Sequence, residues 1–316
     1  MSHMTLGVPR ETTVDEHRVS LTPAGVRSLR RDATVLVEQG AGASAGFLDD
    51  DYLQAGAELI PTAEELWDRS DRVIKVQAPT LSEQSYGGSV GCFVGGAQVP
   101  EGTLAWERIR FGRSAPVLRP MSEIAGRLAV LMGARALGRA AGGRGVLLGS
   151  LPGVGSSRVL VLGAGVVGGT AVRTALALGA EVTVIDVSLD ALRQIEGART
   201  LLMDEWALEK ELGLADVVVG AVHVPGQRCP VVLPKEAMAL MRPGSAMVDV
   251  SVDQGGCAET TSLTSLSHPT RRVGGIVHVG VPNLPSAVAA TASAALSHAL
   301  TPYVLRLAQG ETVPQA

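Results

Sequence analysis

The chain has 316 residues, with 27 Lys+Arg against 31 Asp+Glu and a formal net charge of −4. That balance argues against nucleic acid as a partner, which needs a basic surface, and no apolar run approaches the roughly 18 residues of a membrane span. At roughly 100–200 residues per domain, the length predicts two domains.

Thr5–Val8 reads as a first strand, and Pro23–Arg30 as a helix with proline in its first turn. Thr34–Glu38 is a β-branched strand. Thr62 with Glu65 has the spacing of a helix start. Arg72–Val76 and Ser89–Val94 are further strands, and Gly95–Pro120 is irregular. A helix follows over Ser122–Gly138, then a Gly-rich loop over Ala141–Ser157. Val159–Leu162 is a continuous apolar strand of the kind buried on both faces of a parallel sheet. Val166–Leu178 is a helix, Val182–Ile185 a strand, and Val217–Val222, Ala246–Val250 and Ile276–Val279 are further strands. Lys235–Met241 and the Ala-rich tail Pro285–Leu307 are helical. Strands alternating with helices imply an α/β fold with mostly parallel sheets. Three scattered cysteines, Cys92, Cys229 and Cys257, make neither a disulfide framework nor a CxxC metal site. With no charged-then-apolar leader in the sequence, a cytoplasmic location is expected.

Gly163-Ala164-Gly165-Val166-Val167-Gly168 follows an apolar strand and opens a helix. In that context GxGxxG is a dinucleotide fingerprint. Gly163 permits the tight turn, Gly165 lets a pyrophosphate approach the backbone, and Gly168 lets helix and strand pack closely. The helix N-terminus offers N–H groups to phosphate. Asp186 ends the next strand, where a carboxylate accepts the ribose hydroxyls and repels a 2′-phosphate. The expected cofactor is therefore NAD(H).

Further motifs extend the reading. They include Gly7-Val8-Pro9-Arg10-Glu11, Arg18-Val19-Ser20-Leu21-Thr22-Pro23 and Glu38-Gln39-Gly40-Ala41-Gly42. Later come Pro120-Met121-Ser122-Glu123-Ile124-Ala125-Gly126-Arg127, the run Val248 to Cys257, and Val281-Pro282-Asn283-Leu284-Pro285. Together they resemble the alanine dehydrogenase/pyridine nucleotide transhydrogenase family over nearly the whole chain. The resemblance implies two Rossmann-like domains with a cleft between them, the NAD-binding domain (residues 120–297) inserted into a substrate-side domain (residues 4–119 plus 298–316). It also implies a homo-oligomer, with a dimer preferred and a hexamer as the other option. By position, Ser122, Asp186, Val222, His223, Asp253 and Asn283 join the fingerprint residues as cofactor contacts.

Two departures stand out. Family alanine dehydrogenases carry a substrate lysine in a Lys-Val-Lys-Glu-Pro strand end. Here Lys75-Val76-Gln77-Ala78-Pro79 puts Gln77 at that lysine. Gly95 stands where their catalytic histidine would be. Losing a positioned acid/base group typically costs about 10²–10⁴-fold, so ordinary alanine dehydrogenation is disfavoured. Arg18 either holds a substrate carboxylate or pairs with Asp15 or Glu16. Lys75, two residues before Gln77 and so on the same strand face, either reaches the substrate or packs structurally. The expected site is thus Asp253 and Lys75 for catalysis, with Arg18, Lys75, Gln77 and Asn283 binding a small-molecule substrate and no metal. The expected chemistry is NAD(H)-dependent hydride transfer to or from a carboxylate-bearing imine, amine or 2-oxo compound. The alternatives are a redox-neutral NAD-dependent enzyme and a non-catalytic NAD-binding regulatory paralogue.

Overall fold

The structure, a computed structural model, describes residues 3–112, 114–224 and 227–315. The chain forms two compact units, Met1–Met121 with Pro285–Ala316, and Ser122–Leu284. The second is therefore an insertion in the first. The chain re-enters the first unit at Pro285, well ahead of the expected return at residue 298. Serines explain the difference. Ser286 and Ser293 accept the backbone N–H groups of His17 and Val19, and Ser297 accepts that of Thr22. The final helix, Ala289–Ala308, is thus knitted to the segment that carries Arg18.

Among the described residues, the first unit has strands β1 (Met4–Val8), β2 (Ala33–Glu38), β3 (Glu58–Ile60), β4 (Arg72–Gln77), β5 (Ser89–Phe93) and β6 (Leu104–Ala105). They form one parallel sheet in the order β3-β2-β1-β4-β5-β6. Thr22 caps the helix Pro23–Leu29 by accepting from Gly25 N–H, and Thr62 caps Ala63–Arg69 by accepting from Glu65 N–H. Leu36, Leu66, Trp67, Val73 and Val90 fill a core on one face of the sheet.

The second unit has β7 (Arg158–Leu162), β8 (Glu181–Asp186), β9 (Arg199–Leu202), β10 (Val217–Gly220), β11 (Ala246–Asp249), β12 (Thr270–Val273) and β13 (Ile276–Val279). Among the described residues their order is β12-β13-β11-β10-β7-β8-β9, with β12 antiparallel to β13 and the rest parallel. Alternate residues of β7 enter two cores, Val159 and Val161 one and Leu160 and Leu162 the other. That is the pattern of a strand covered on both faces.

The strands absent from the sequence reading have weak patterns. β3 and β6 are very short, and the edge strands β9 and β12 each carry arginine on largely exposed residues. β10 ends at Gly220 rather than at Val222. Both sheets reverse their winding at their first strand, between β1 and β4 and between β7 and β10. In open α/β sheets, ligands bind beyond the strand C-termini at such a reversal.

Candidate functional site

In the second unit the reversal point carries the fingerprint. Gly163 has φ +101°, and a Cβ there would run into the Ala221 carbonyl. A Cβ on Gly168 would strike the Gly163 carbonyl and press on Val161. Both positions therefore require glycine. Gly165 differs, because a Cβ there would meet nothing within 4 Å. It precedes the helix Val166–Ala177 without a side-chain cap, so the first-turn N–H groups and an open backbone face the same space. That is the shape and polarity a pyrophosphate needs. Asp186, at the end of β8, accepts from Ala164 N–H and, at 2.7 Å, from Ser188 N–H. Its carboxylate thus stands at the mouth of the glycine turn and fixes that turn. Ser122 lies in the helix Leu118–Ala136.

Beyond β10 and β11, Val222 and His223 meet the Asp253 loop. The Ser251 hydroxyl donates to the Val222 carbonyl, and His223 Nδ1 lies 2.8 Å from Gln254 Oε1. Asp253 sits in the one-turn helix Val252–Gln254 with its side chain reaching solvent. Desolvation by the surrounding protein raises its pKa, opposed by the backbone N–H groups of Asp253 and Gln254 and by His223. The loop is shaped by Asp249, which is buried and accepts from the N–H groups of Ser251, Cys257 and Ala258. Burial raises the Asp249 pKa against those hydrogen bonds. Asn283 adopts a left-handed backbone at φ +54°, a conformation asparagine tolerates better than most residues.

In the first unit the reversal point carries charge instead of glycine. Arg18 is 3% exposed. It donates to Glu16 through Nε at 2.8 Å and Nη2 at 2.6 Å, and through Nη1 to Met121 Sδ at 3.2 Å. Gln77 Nε2 donates to the same Glu16 carboxylate at 2.8 Å. Burial works against ionising Glu16, but Arg18 and Gln77 outweigh it and hold its pKa at about 2. Glu16 is therefore an anion at neutral pH, joining Arg18 to Gln77. Of the two readings of Arg18, the structure displays the pairing with Glu16.

Lys75 does not join this cluster, which corrects its expected catalytic and substrate-binding roles. Its Nζ is buried between Glu83 at 2.8 Å and Glu11 at 3.2 Å. The expectation of a shared face with Gln77 assumed regular alternation. The β4–β5 ladder slips between Ile74 and Gln77, so the assumption fails. Burial lowers the Lys75 pKa, but the two carboxylates outweigh it and keep the ammonium charged.

Gly95 has φ +56° and Gly96 φ +99°, and a Cβ on either would meet open space. The Glu107 carboxylate accepts the N–H groups of Val94 and Gly95 at 3.0 and 2.9 Å. Glu83 and Glu107 lie in no sequence motif, Asp249 lies only within the run Val248 to Cys257, and Glu16 entered only as a pairing option for Arg18. Glu11 lay inside a quoted motif, Gly7 to Glu11, but a carboxylate that acts on backbone N–H groups has no spacing signature.

No helix among the described residues is long and apolar enough to cross a membrane, and no group of three His, Cys, Asp or Glu among them is arranged to hold a metal. The family model described as alanine dehydrogenase/PNT, C-terminal domain, matches residues 129–315, and that of the N-terminal domain matches residues 7–94. An alanine dehydrogenase of Mycobacterium tuberculosis is 40% identical over 96% of this chain and 88% of its own length. A solved L-alanine dehydrogenase structure superposes with a TM-score of 0.90 at 41% identity, covering 97% of this chain and 90% of that one. A transhydrogenase from Sinorhizobium meliloti superposes at 0.83 with 28% identity, covering 96% and 94%. The chain belongs to the alanine dehydrogenase/PNT family.

Proposed function

We propose that this family member transfers hydride between NAD(H) and a small carboxylate-bearing imine, amine or 2-oxo compound other than the alanine–pyruvate pair. At the coarser level it is an NAD-dependent oxidoreductase of the alanine dehydrogenase kind. Bound at the fingerprint, NAD supplies the hydride acceptor. The first-turn N–H groups of Val166, Val167 and Gly168 would hold the pyrophosphate beside Gly165. Asp186 would take the ribose hydroxyls, with Ser122, Val222, His223 and Asn283 as further cofactor contacts. Asn283 would also touch substrate.

The observation that carries the substrate side is Gln77 on Glu16. A lysine in that place would give the set a net positive charge, since Glu16 and Arg18 cancel each other. Gln77 leaves the set neutral. It still offers hydrogen bonds, and Arg18 keeps its guanidinium beside Glu16, but the net pull on a carboxylate falls. Gly95 has no side chain to carry a proton, so proton handling moves to Asp253, which is exposed in the loop beyond β11. Imines ask less of a general acid than carbonyls do, which favours reductive amination or imine reduction over simple alanine oxidation. Gly95 also lends weight to a second reading, a non-catalytic NAD-binding paralogue, or a redox-neutral enzyme whose hydride returns to the same substrate.

The test is NADH oxidation across 2-oxo acids combined with ammonium or primary amines, alongside calorimetric titration of NADH and NADPH. Turnover on one pair other than pyruvate with ammonium, lost in Asp253→Asn, is the expected result. Tight NADH binding without turnover on any pair would overturn it in favour of the second reading.

A further inference from the structure

Gln77 ends β4, and a three-residue bend, Ala78-Pro79-Thr80, leads from it into the short helix Leu81–Gln84. Both ends of the bend are held by carboxylates. Glu11 accepts Val76 N–H at 2.6 Å and Gln77 N–H at 3.4 Å. Glu83 accepts Thr80 N–H at 2.7 Å and the Thr80 hydroxyl at 3.0 Å. The Lys75 ammonium lies between these two carboxylates. The three side chains are almost wholly buried, with Lys75 1%, Glu11 2% and Glu83 6% exposed. The Lys75 carbonyl is tied in turn by the indole N–H of Trp106 at 2.9 Å.

A plain structural ion pair needs only one anion for one cation. Here two carboxylates share one ammonium, and each also accepts a backbone N–H at one end of the bend, while burial raises the Glu11 pKa against Lys75 and the Val76 N–H. Buried charge is costly unless it is paired and fully hydrogen-bonded. The set satisfies that condition only if Val76, Gln77 and Thr80 keep their present positions. The same geometry therefore fixes where the Gln77 side chain leaves the backbone, and so its bond to Glu16.

We infer that Glu11, acting with Lys75 and Glu83 as a buried ionic clip, is a positioning residue that sets Gln77 against Glu16 and Arg18. This rests on the assignment of Gln77 to the substrate side. The clip touches neither substrate nor cofactor. It acts by denying the bend any other shape.

The experiment compares wild type with Glu11→Gln and Glu11→Asp, using hydrogen exchange by mass spectrometry, NADH titration, and KM and kcat with NADH for the 2-oxo acid and amine pair that the wild type turns over fastest. The amide of Glu11→Gln sets an N–H₂ group against donors, so one backbone N–H or the ammonium loses its acceptor. Exchange in peptides covering residues 75–80 should rise by about tenfold, the scale of one lost buried hydrogen bond, with the rest of the unit unchanged. KM for that 2-oxo acid should rise by about five- to tenfold, kcat should hold within about twofold, and NADH affinity should not move. Glu11→Asp keeps the charge and should recover part of the KM. Exchange unchanged at residues 75–80, exchange raised evenly through the unit, or a local rise with KM unmoved would each overturn the inference. If Glu11→Gln does not fold, Glu83→Gln replaces it, with the same local signature expected around Thr80. A wild type that turns over no carbonyl–amine pair brings down the substrate assignment alone, and the exchange measurement then decides the clip.

Discussion

The two units share the order of their first five strands and a reversal point but build opposite surfaces there. After β7 the chain makes a glycine turn straight into a helix and presents bare backbone N–H groups. After β1 it runs through an irregular segment before the helix at Pro23, and that segment brings in Glu11, Glu16 and Arg18. The first design suits an anionic, sequence-independent group such as a pyrophosphate. The second places side chains, which can be exchanged one at a time. The lesson is that the glycine end tolerates almost no change, because Gly163 and Gly168 are fixed by backbone clashes. The charged end can be retuned by a single residue such as Gln77.

The comparison can be broken most severely at Lys75. Lys75→Met leaves Glu11 and Glu83 buried without their cation, a change that typically costs about 3–5 kcal/mol. Denaturant unfolding should show that loss. A midpoint shift near zero would mean that the clip is not ionic. Next is Gly163→Ala. Steric strain at the +101° turn and the Ala221 carbonyl should weaken NADH binding by about 5- to 150-fold, from about 1–3 kcal/mol of strain, measured by calorimetry. Asp186→Asn is milder. It keeps the shape but not the charge, and should cost NADH about tenfold while narrowing the gap to NADPH.

Glu16 gives the pH arm. Its pKa is lowered from 4.5 to about 2 in the folded chain, so its contribution to stability is complete above about pH 4.5 and is lost as pH falls toward 2. Glu16→Gln should flatten that acid limb of the stability profile. An unchanged limb would contradict the pairing with Arg18 and Gln77.

The glycine turn was legible in the sequence because glycine spacing maps directly onto backbone geometry. The strand before Gly163, the helix after it and Asp186 all fell where the pattern put them. The charged end was legible only in part. Arg18 and Gln77 do meet, but through Glu16, a residue weighed only as one option for Arg18. Lys75 was misplaced because an irregular strand ladder leaves no trace in a one-residue alternation rule. The return of the chain at Pro285 was missed because it depends on three serine hydroxyls far apart in sequence from residues 17–22.

The most direct test of the account is the KM for pyruvate, with ammonium and NADH, in wild type against Gln77→Lys. Restoring the cation beside Glu16 and Arg18 should lower KM by about tenfold, the scale of one charge-assisted hydrogen bond. It should leave kcat low, because Gly95 still carries no acid/base group. A wild type that already prefers pyruvate, with Gln77→Lys changing nothing, would contradict the claim that residue 77 sets the substrate.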